Sequence, residues 1–182
     1  MLIKYLLVLI SYRDFCECLV KLIIKMNLHE LKIISSLDEI LKDESIRKTI
    51  DLALSRAKER FTQSTVPSIT EIIPLSIFGD KLPKEINLCR LFILKANTKS
   101  KIERHTNSYQ RTYTLYGEGD TKILENNIWK SNVRKSLGSS INDKWLSVPE
   151  DTWHEPIALS TDWVTITFHT ASEDEIVDEY KE

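Results

Sequence analysis

The sequence is poor in the residues that define several common protein classes. It has three cysteines in 182 residues, an odd number, and none shows the paired Cys-x-x-Cys spacing of a zinc site. These cysteines are too few for a disulfide-stabilised scaffold, so we expect a reducing cytoplasm as the compartment. The formal net charge is only −2, so no excess of positive charge predicts nucleic acid as a partner.

Several catalytic motifs are also missing. The sequence contains no P-loop, no Gly-x-Ser-x-Gly elbow and no dinucleotide-binding fingerprint. The pair Gly117 and Gly119 does not open a predicted helix, and it predicts a tight turn between two strands of a hairpin. A chain of 182 residues is long enough for one domain with a sizeable core and too short for two of ordinary size.

Residues 1–26 are more apolar than the rest and include the run Tyr5–Ile10. No small-residue cleavage site follows, which argues against a signal peptide, and several charged residues argue against a membrane span. Two interpretations stay open. Either Met26 is the true initiator, or the segment forms a helix that lies on a membrane surface. Membrane contact is expected only if this segment is part of the protein.

Residues 27–65 show helical spacing of apolar residues and no glycine or proline up to Phe61. They predict a helical extension of two helices, whose role we expect to be packing or formation of a homodimer. The stripe of the second helix is formed by Ile46, Ile50, Leu54, Ala57 and Phe61.

Residues 66–172 alternate between apolar and polar, as strands do, without intervening helices. This pattern predicts an antiparallel sandwich or barrel. The acidic tail, 173–182, is expected to end as a short helix or a frayed segment. The predicted strands are Ile69–Phe78, Ile86–Ala96, Lys101–Thr106, Tyr109–Tyr116, Thr121–Leu124, Ile128–Lys135, Lys144–Val148, Thr152–Pro156 and Trp163–Thr170.

The stretch Lys101–Gly119, KIERHTNSYQRTYTLYGEG, resembles the first motif of the cupins. That motif runs glycine, five residues, His-x-His, three or four residues, Glu, six residues, Gly. Its spacing is met from Glu103 through His105 and Gln110 to Gly117. Glu103 stands in place of the first histidine and Gln110 in place of the glutamate.

The stretch Trp145–Ala158 resembles the second cupin motif, which runs Pro-x-Gly, two residues, His, three residues, Asn. Asp151 stands where this motif has glycine, and Asn97 stands where the first motif has its leading glycine. Both residue types tolerate turn conformations. Ala158 replaces the final asparagine. Pro149, Asp151 and His154 fall on the first three marked positions of the motif.

The resemblance implies a mainly β protein, a cupin-type double-stranded β-helix (jelly-roll barrel), after an N-terminal α-helical extension. Strand alternation places Glu103 and His105 on one face. In cupins the histidine of the second motif, here His154, reaches the same interior. The implied metal ligands are therefore His105, His154 and Glu103, with Gln110 as a weak fourth ligand or the orienting partner of a water.

This ligand set suits a divalent metal ion, with Fe(II) favoured and Zn, Ni or Mn open. Alternatives remain for Glu103, as a solvated charge, and for Gln110, as a structural hydrogen-bonding residue. Tyr113 and Trp153 are candidates for a substrate pocket, or else they fill the barrel. His169 is expected outside, because the alternate residues of its strand are the better core candidates.

We therefore expect a metal-binding cupin that acts on a small molecule, as a mononuclear iron oxygenase or dioxygenase. Two alternatives stay open. One is a non-catalytic module that binds a small ligand, as a sensor or interaction protein. The other is an enzyme resembling the sugar isomerases and epimerases of this fold. The expected partner in every case is a small-molecule ligand. The resemblance does not choose among these functions, because fold does not settle function.

Overall fold

The computed structural model describes residues 28–181. The predictions made for residues 1–26, including their two cysteines, lie outside this range. Within it, no helix combines the length and apolar character needed to cross a bilayer.

Two consecutive helices open the described chain, as the sequence predicts. Helix α1 covers residues 28–42 and helix α2 runs from Glu44 to Thr62. Asp43 separates them and caps α2, because its carboxylate accepts hydrogen bonds from the backbone N–H groups of Ser45 and Ile46. A third, short helix, α3, spans Ile141–Lys144.

Eleven strands follow and pair antiparallel in two sheets. Sheet one has the order β1-β2-β10-β4-β8, and sheet two has the order β11-β3-β9-β5-β6, with β7 also on β5. The prediction of a mainly β barrel behind a helical extension is confirmed. The strands are β1 Ser68–Ile72, β2 Leu88–Leu94, β3 Ile102–His105, β4 Gln110–Tyr116, β5 Glu118–Glu125, β6 Ile128–Lys130, β7 Val133–Lys135, β8 Trp145–Val148, β9 His154–Ala158, β10 Trp163–His169 and β11 Asp178–Lys181.

Apart from shifts of a few residues at strand ends, three elements differ from the prediction. The strand predicted at Ile69–Phe78 ends at Ile72, because Pro74 introduces a 3-10 segment, Leu75–Lys81. The strand predicted at Ile128–Lys135 is two short ones, β6 and β7. The acidic tail is neither helix nor frayed segment near its end, since β11 pairs with β3 and extends sheet two.

Three residues with positive φ lie at turns that connect the strands of the barrel. Gly117 has φ 72° and carries the chain from β4 in sheet one to β5 in sheet two. It therefore forms a corner between the sheets, and the prediction of a hairpin turn here was wrong. A side chain at this position would also lie 2.1 Å from the Asp162 carbonyl oxygen. Asn97 and Asp151, the two glycine replacements, have φ 59° and 57°, which confirms that they serve as turn residues.

The main apolar core lies outside the barrel, between sheet one and the two N-terminal helices. Leu37 and Ile50 from the helices are fully buried against the outer face of β2 and β10. Along β10, Val164, Ile166 and Phe168 belong to this core, while the alternate residues line the barrel interior. Sheet one buries its apolar residues against the helices. The barrel interior is therefore not needed as the apolar core and can be polar.

Candidate metal centre

The two sheets enclose a cavity of about 660 Å³. All four residues predicted as metal ligands line it. Much of the remaining wall carries hydroxyl groups, from Ser68, Thr70, Ser100, Thr112, Thr121, Thr165 and Thr167. Such a wall complements a polar ligand, because buried hydroxyl groups need hydrogen-bond partners.

Glu103, His105 and His154 form a compact group within this cavity. One potential ligand atom from each lies within 4.8 Å of the other two. Two features of the sheet bring them together. Glu103 and His105 are two residues apart on β3, and Glu103 lies directly opposite His154 in the register between β3 and β9.

The environment of His154 leaves one ring nitrogen available. The side chain is completely buried, and its Nδ1–H donates to the Thr152 carbonyl oxygen at 3.0 Å. In the neutral ring Nε2 therefore carries the lone pair, and it has no hydrogen-bond partner among the described residues. Its closest approach to the Glu103 carboxylate is 3.6 Å. A buried, unpartnered imidazole nitrogen beside a carboxylate is suited to a metal ion.

His105 is held from both sides. Its Nδ1 lies 2.6 Å from Asp178 Oδ1, and its Nε2 lies 2.7 Å from Gln110 Oε1. Since the Gln110 amide nitrogen donates to Thr112 Oγ1 at 3.0 Å, both ring nitrogens face acceptor oxygens. A cation at Nε2, whether a proton or a metal ion, satisfies this pattern. A carboxylate on the opposite nitrogen is the usual outer-sphere partner of a metal-bound histidine.

Glu103 is charged in this setting. Burial alone would raise the pKa of Glu103, but the neighbouring imidazole of His154, with further help from His105 and the Arg90 guanidinium, holds that pKa below its ordinary value. The three side chains thus present one carboxylate and two imidazoles, a donor set that fits a divalent transition metal.

His169 lies inside the barrel, so the prediction that it faces outward was wrong. The residue is 2% exposed, lines the cavity and places its ring edge-on to that of His105, with centroids 5.0 Å apart. Burial, helped by the nearby charges of His105 and Arg90, lowers the pKa of His169 well below 6.5, so the ring is neutral at physiological pH. The sequence signal failed because the apolar residues of β10 face the helices.

The two aromatic residues predicted for the pocket lie elsewhere. Tyr113 is on the outer face of β4, where its ring packs 5.1 Å from Trp145 under the helices. Trp153 lies between two cations, Arg104 at 4.6 Å and Lys181 at 4.5 Å from the ring centroid. The aromatic residues that line the cavity are Phe92, Trp163 and Tyr180.

No protein-family model matches the sequence. The search of curated proteins likewise finds no match.

Solved structures do match the fold. Recombinant pro-11S globulin of pumpkin is 13% identical with a TM-score of 0.50, over 64% of this chain and 29% of that chain. Pumpkin seed globulin gives the same identity, TM-score and coverage. A structure of oxalate oxidase with the substrate analogue glycolate is 12% identical, with a TM-score of 0.49, over 64% of this chain and 57% of that one.

The chain thus spans less than a third of the length of the pumpkin globulins it matches. At these identities the likeness concerns the fold alone. Three observations indicate the same fold. They are the two facing antiparallel sheets, the two motif stretches at β3–β4 and β8–β9, and the match to the pumpkin globulin structures. This protein has the cupin fold.

Proposed function

We propose that this protein is a metal-dependent enzyme that acts on a small molecule in the barrel cavity. His105, His154 and Glu103 hold the metal, with Fe(II) favoured, and the activity is that of a mononuclear iron oxygenase. The observation that carries the proposal is the unpartnered Nε2 of His154, completely buried beside the Glu103 carboxylate. An uncompensated buried acceptor is destabilising, and a bound cation would compensate it.

Fe(II) bound by two imidazoles and one carboxylate would supply open coordination positions for substrate and dioxygen. The other roles fall to the protein. Asp178 holds the proton on His105 Nδ1, and the Thr152 carbonyl oxygen holds the proton on His154 Nδ1, so both Nε2 atoms face the same space. Gln110, whose Oε1 already contacts His105, orients a water or contributes a weak fourth ligand.

A second candidate function is a binding module without catalysis. It is favoured by the contact of 2.7 Å between Gln110 Oε1 and His105 Nε2, which engages one ligand nitrogen within the protein. An amide oxygen is also a poorer ligand than the glutamate that cupins carry at this position. In this alternative the cavity binds its ligand without a metal.

Elemental analysis after anaerobic reconstitution with Fe(II) separates the two functions. The parent protein is compared with the double variant His105→Ala/His154→Ala. His29→Ala is the matched control, because the His29 side chain is 62% exposed and lies on α1. We expect close to one iron per chain in the parent and in the control, and none in the double variant. Little metal in all three proteins would favour the binding module.

A further inference from the structure

The cavity extends well beyond the candidate metal ligands. Along β10, the residues that line it run from His169, whose ring lies beside that of His105, to Trp163 at the other end of the strand. A strand of this length spans about 20 Å. The metal centre therefore occupies one end of the cavity and leaves the other end for a different part of a ligand.

The half of the cavity around the metal centre is lined by polar side chains. Two rows of sheet one belong to this half, and they contribute His169, Gln110, Thr167, Arg90 and Thr112. The facing rows of sheet two contribute the three candidate metal ligands together with Asp178 and Tyr180. Each of these side chains carries a charged or hydrogen-bonding group, so this half suits a polar part of the ligand.

The apolar residues that line the cavity lie in the other half. On sheet one, Phe92 and Trp163 occupy the two rows farthest from the metal centre. On β9, Pro156 lies two residues beyond His154. Hydroxyl groups lie between these apolar residues, and two more apolar residues, Val66 and Pro67, precede β1 at the mouth. The lining thus changes from polar to partly apolar along the strands.

Phe92 and Trp163 form an aromatic surface in this half. They are diagonal neighbours across β2 and β10, within reach of aromatic side chains, and Phe92 packs against the cluster of Trp163, Leu94 and Ala158. The Trp163 indole Nε1–H donates to Thr114 Oγ1 at 3.2 Å, which fixes the orientation of that ring. Phe92 is only partly buried, although it points into the barrel. Its ring therefore has apolar surface available to a ligand.

Packing of the protein alone does not account for this exposed apolar surface. The main apolar core lies on the opposite face of sheet one, against the helices. A small cluster inside the barrel, formed by Ile123, Leu146 and Val148, is fully buried and does not line the cavity. Phe92 differs from that cluster, because part of its ring faces open space.

The two halves also differ in their access to solvent. His105 and His154 are no more than 5% exposed, whereas Val66 and Pro67 at the other end are exposed. A ligand therefore enters from the partly apolar half and reaches the metal centre with its leading end. The cavity volume of about 660 Å³ lies within the range of small-molecule sites and has room for a polar group and a ring together.

We propose that the ligand of this cavity consists of a polar head and an aromatic ring, and that Phe92 determines the affinity for the ring. The head lies among the polar residues at the closed end, and the ring packs against Phe92 and Trp163. The position of the head next to a metal rests on the proposed function. The contact between the ring and Phe92 does not depend on it.

Calorimetric titration with two matched probes tests this inference. Acetohydroxamate and benzohydroxamate share a head that can bind a metal ion, and they differ only in a methyl or a phenyl group. Both are titrated into the full-length parent, Phe92→Leu, Phe92→Ala and Phe61→Ala, each with Fe(II) under anaerobic conditions and without metal. Phe61→Ala is the matched control, because Phe61 is a partly buried phenylalanine that packs against the core outside the barrel.

We expect the parent to bind benzohydroxamate at least about tenfold more tightly than acetohydroxamate, because the cavity removes the phenyl group from water. This preference should fall in Phe92→Leu, which keeps a large apolar side chain without the ring, and fall further in Phe92→Ala. It should remain at the parent value in Phe61→Ala. The iron content should be the same in all four proteins.

Four results would overturn the inference. They are equal affinity of the parent for the two probes, a parent-like preference in either Phe92 variant, an equal loss of preference in Phe61→Ala, and binding of neither probe. A phenyl preference that depends on Phe92, in a protein that takes up no iron, would support the inference and contradict the proposed function alone.

Discussion

The Asp178 carboxylate lies 2.6 Å from Nδ1 of His105, so the last strand of the chain orients a candidate metal ligand. The register between β11 and β3 places these two residues directly opposite each other. The same strand places Tyr180 opposite Glu103, at the wall of the cavity. The C-terminal strand is therefore part of the candidate site.

Replacing Asp178 by asparagine should weaken metal binding by about 10- to 100-fold, because a neutral amide oxygen accepts the Nδ1–H of His105 less strongly than a carboxylate and leaves the ring a less basic ligand. The measurement is competition with a chelating dye. Glu179→Gln is the matched control, since Glu179 binds Arg104 at 2.6 Å, away from His105. Equal losses in both variants would point to damage to β11 and not to the loss of the Asp178 contact.

Glu103→Gln should reduce the iron content after reconstitution, because the amide removes the only carboxylate of the candidate ligand group. His154→Ala should abolish iron binding. Elemental analysis of the two variants checks both statements. If Glu103→Gln keeps the iron content of the parent while His154→Ala loses it, the ligand set is built from other residues.

His169→Leu should raise the free energy of unfolding of the metal-free protein by about 1 kcal/mol, because it removes a buried ring nitrogen that has no hydrogen-bond partner among the described residues. Urea denaturation without ligand measures this change. His29→Leu, at an exposed position, should stay within about 0.5 kcal/mol of the parent. A clear loss of stability in His169→Leu would show that the ring serves packing.

Ile50→Ala should lower the free energy of unfolding by about 2–5 kcal/mol, because Ile50 is fully buried between α2 and sheet one. Leu52→Ala, on the exposed side of the same helix, should change it by no more than about 0.5 kcal/mol. Urea denaturation compares the two. Similar effects of both substitutions would contradict the assignment of the core to the outer face of sheet one.

Asp43→Asn should lower the melting temperature at neutral pH while keeping a residue able to cap α2. The ion pair with Lys81, together with hydrogen bonds from Ser45, holds the pKa of Asp43 well below its usual 3.8. A carboxylate whose pKa is lower in the folded state stabilises at pH values above 3.8, and this contribution is lost as the pH falls through the folded pKa. The difference between parent and variant should therefore shrink below pH 3.8. A constant difference across the titration would contradict this assignment.

The residues of the candidate centre differ in how far the sequence predicts them. Glu103 and His105 follow from the resemblance to the first cupin motif together with strand alternation, and His154 from the resemblance to the second motif. The sequence did not predict Asp178 as part of the site, because the local pattern of residues in an acidic tail does not show whether that tail pairs as an edge strand. His169 and Tyr113 were assigned to the wrong faces for one reason: the helices bury the outer face of sheet one, so apolar character there does not identify the barrel interior.

The separation of the apolar core from the cavity has a consequence for how this protein can change. Val164, Ile166 and Phe168 hold sheet one to the helices, while Thr165 and Thr167 face the cavity from the same strand. Substitutions on the cavity side leave the main apolar packing intact. Ligand preference can therefore diverge, in evolution or in engineering, at little cost to folding.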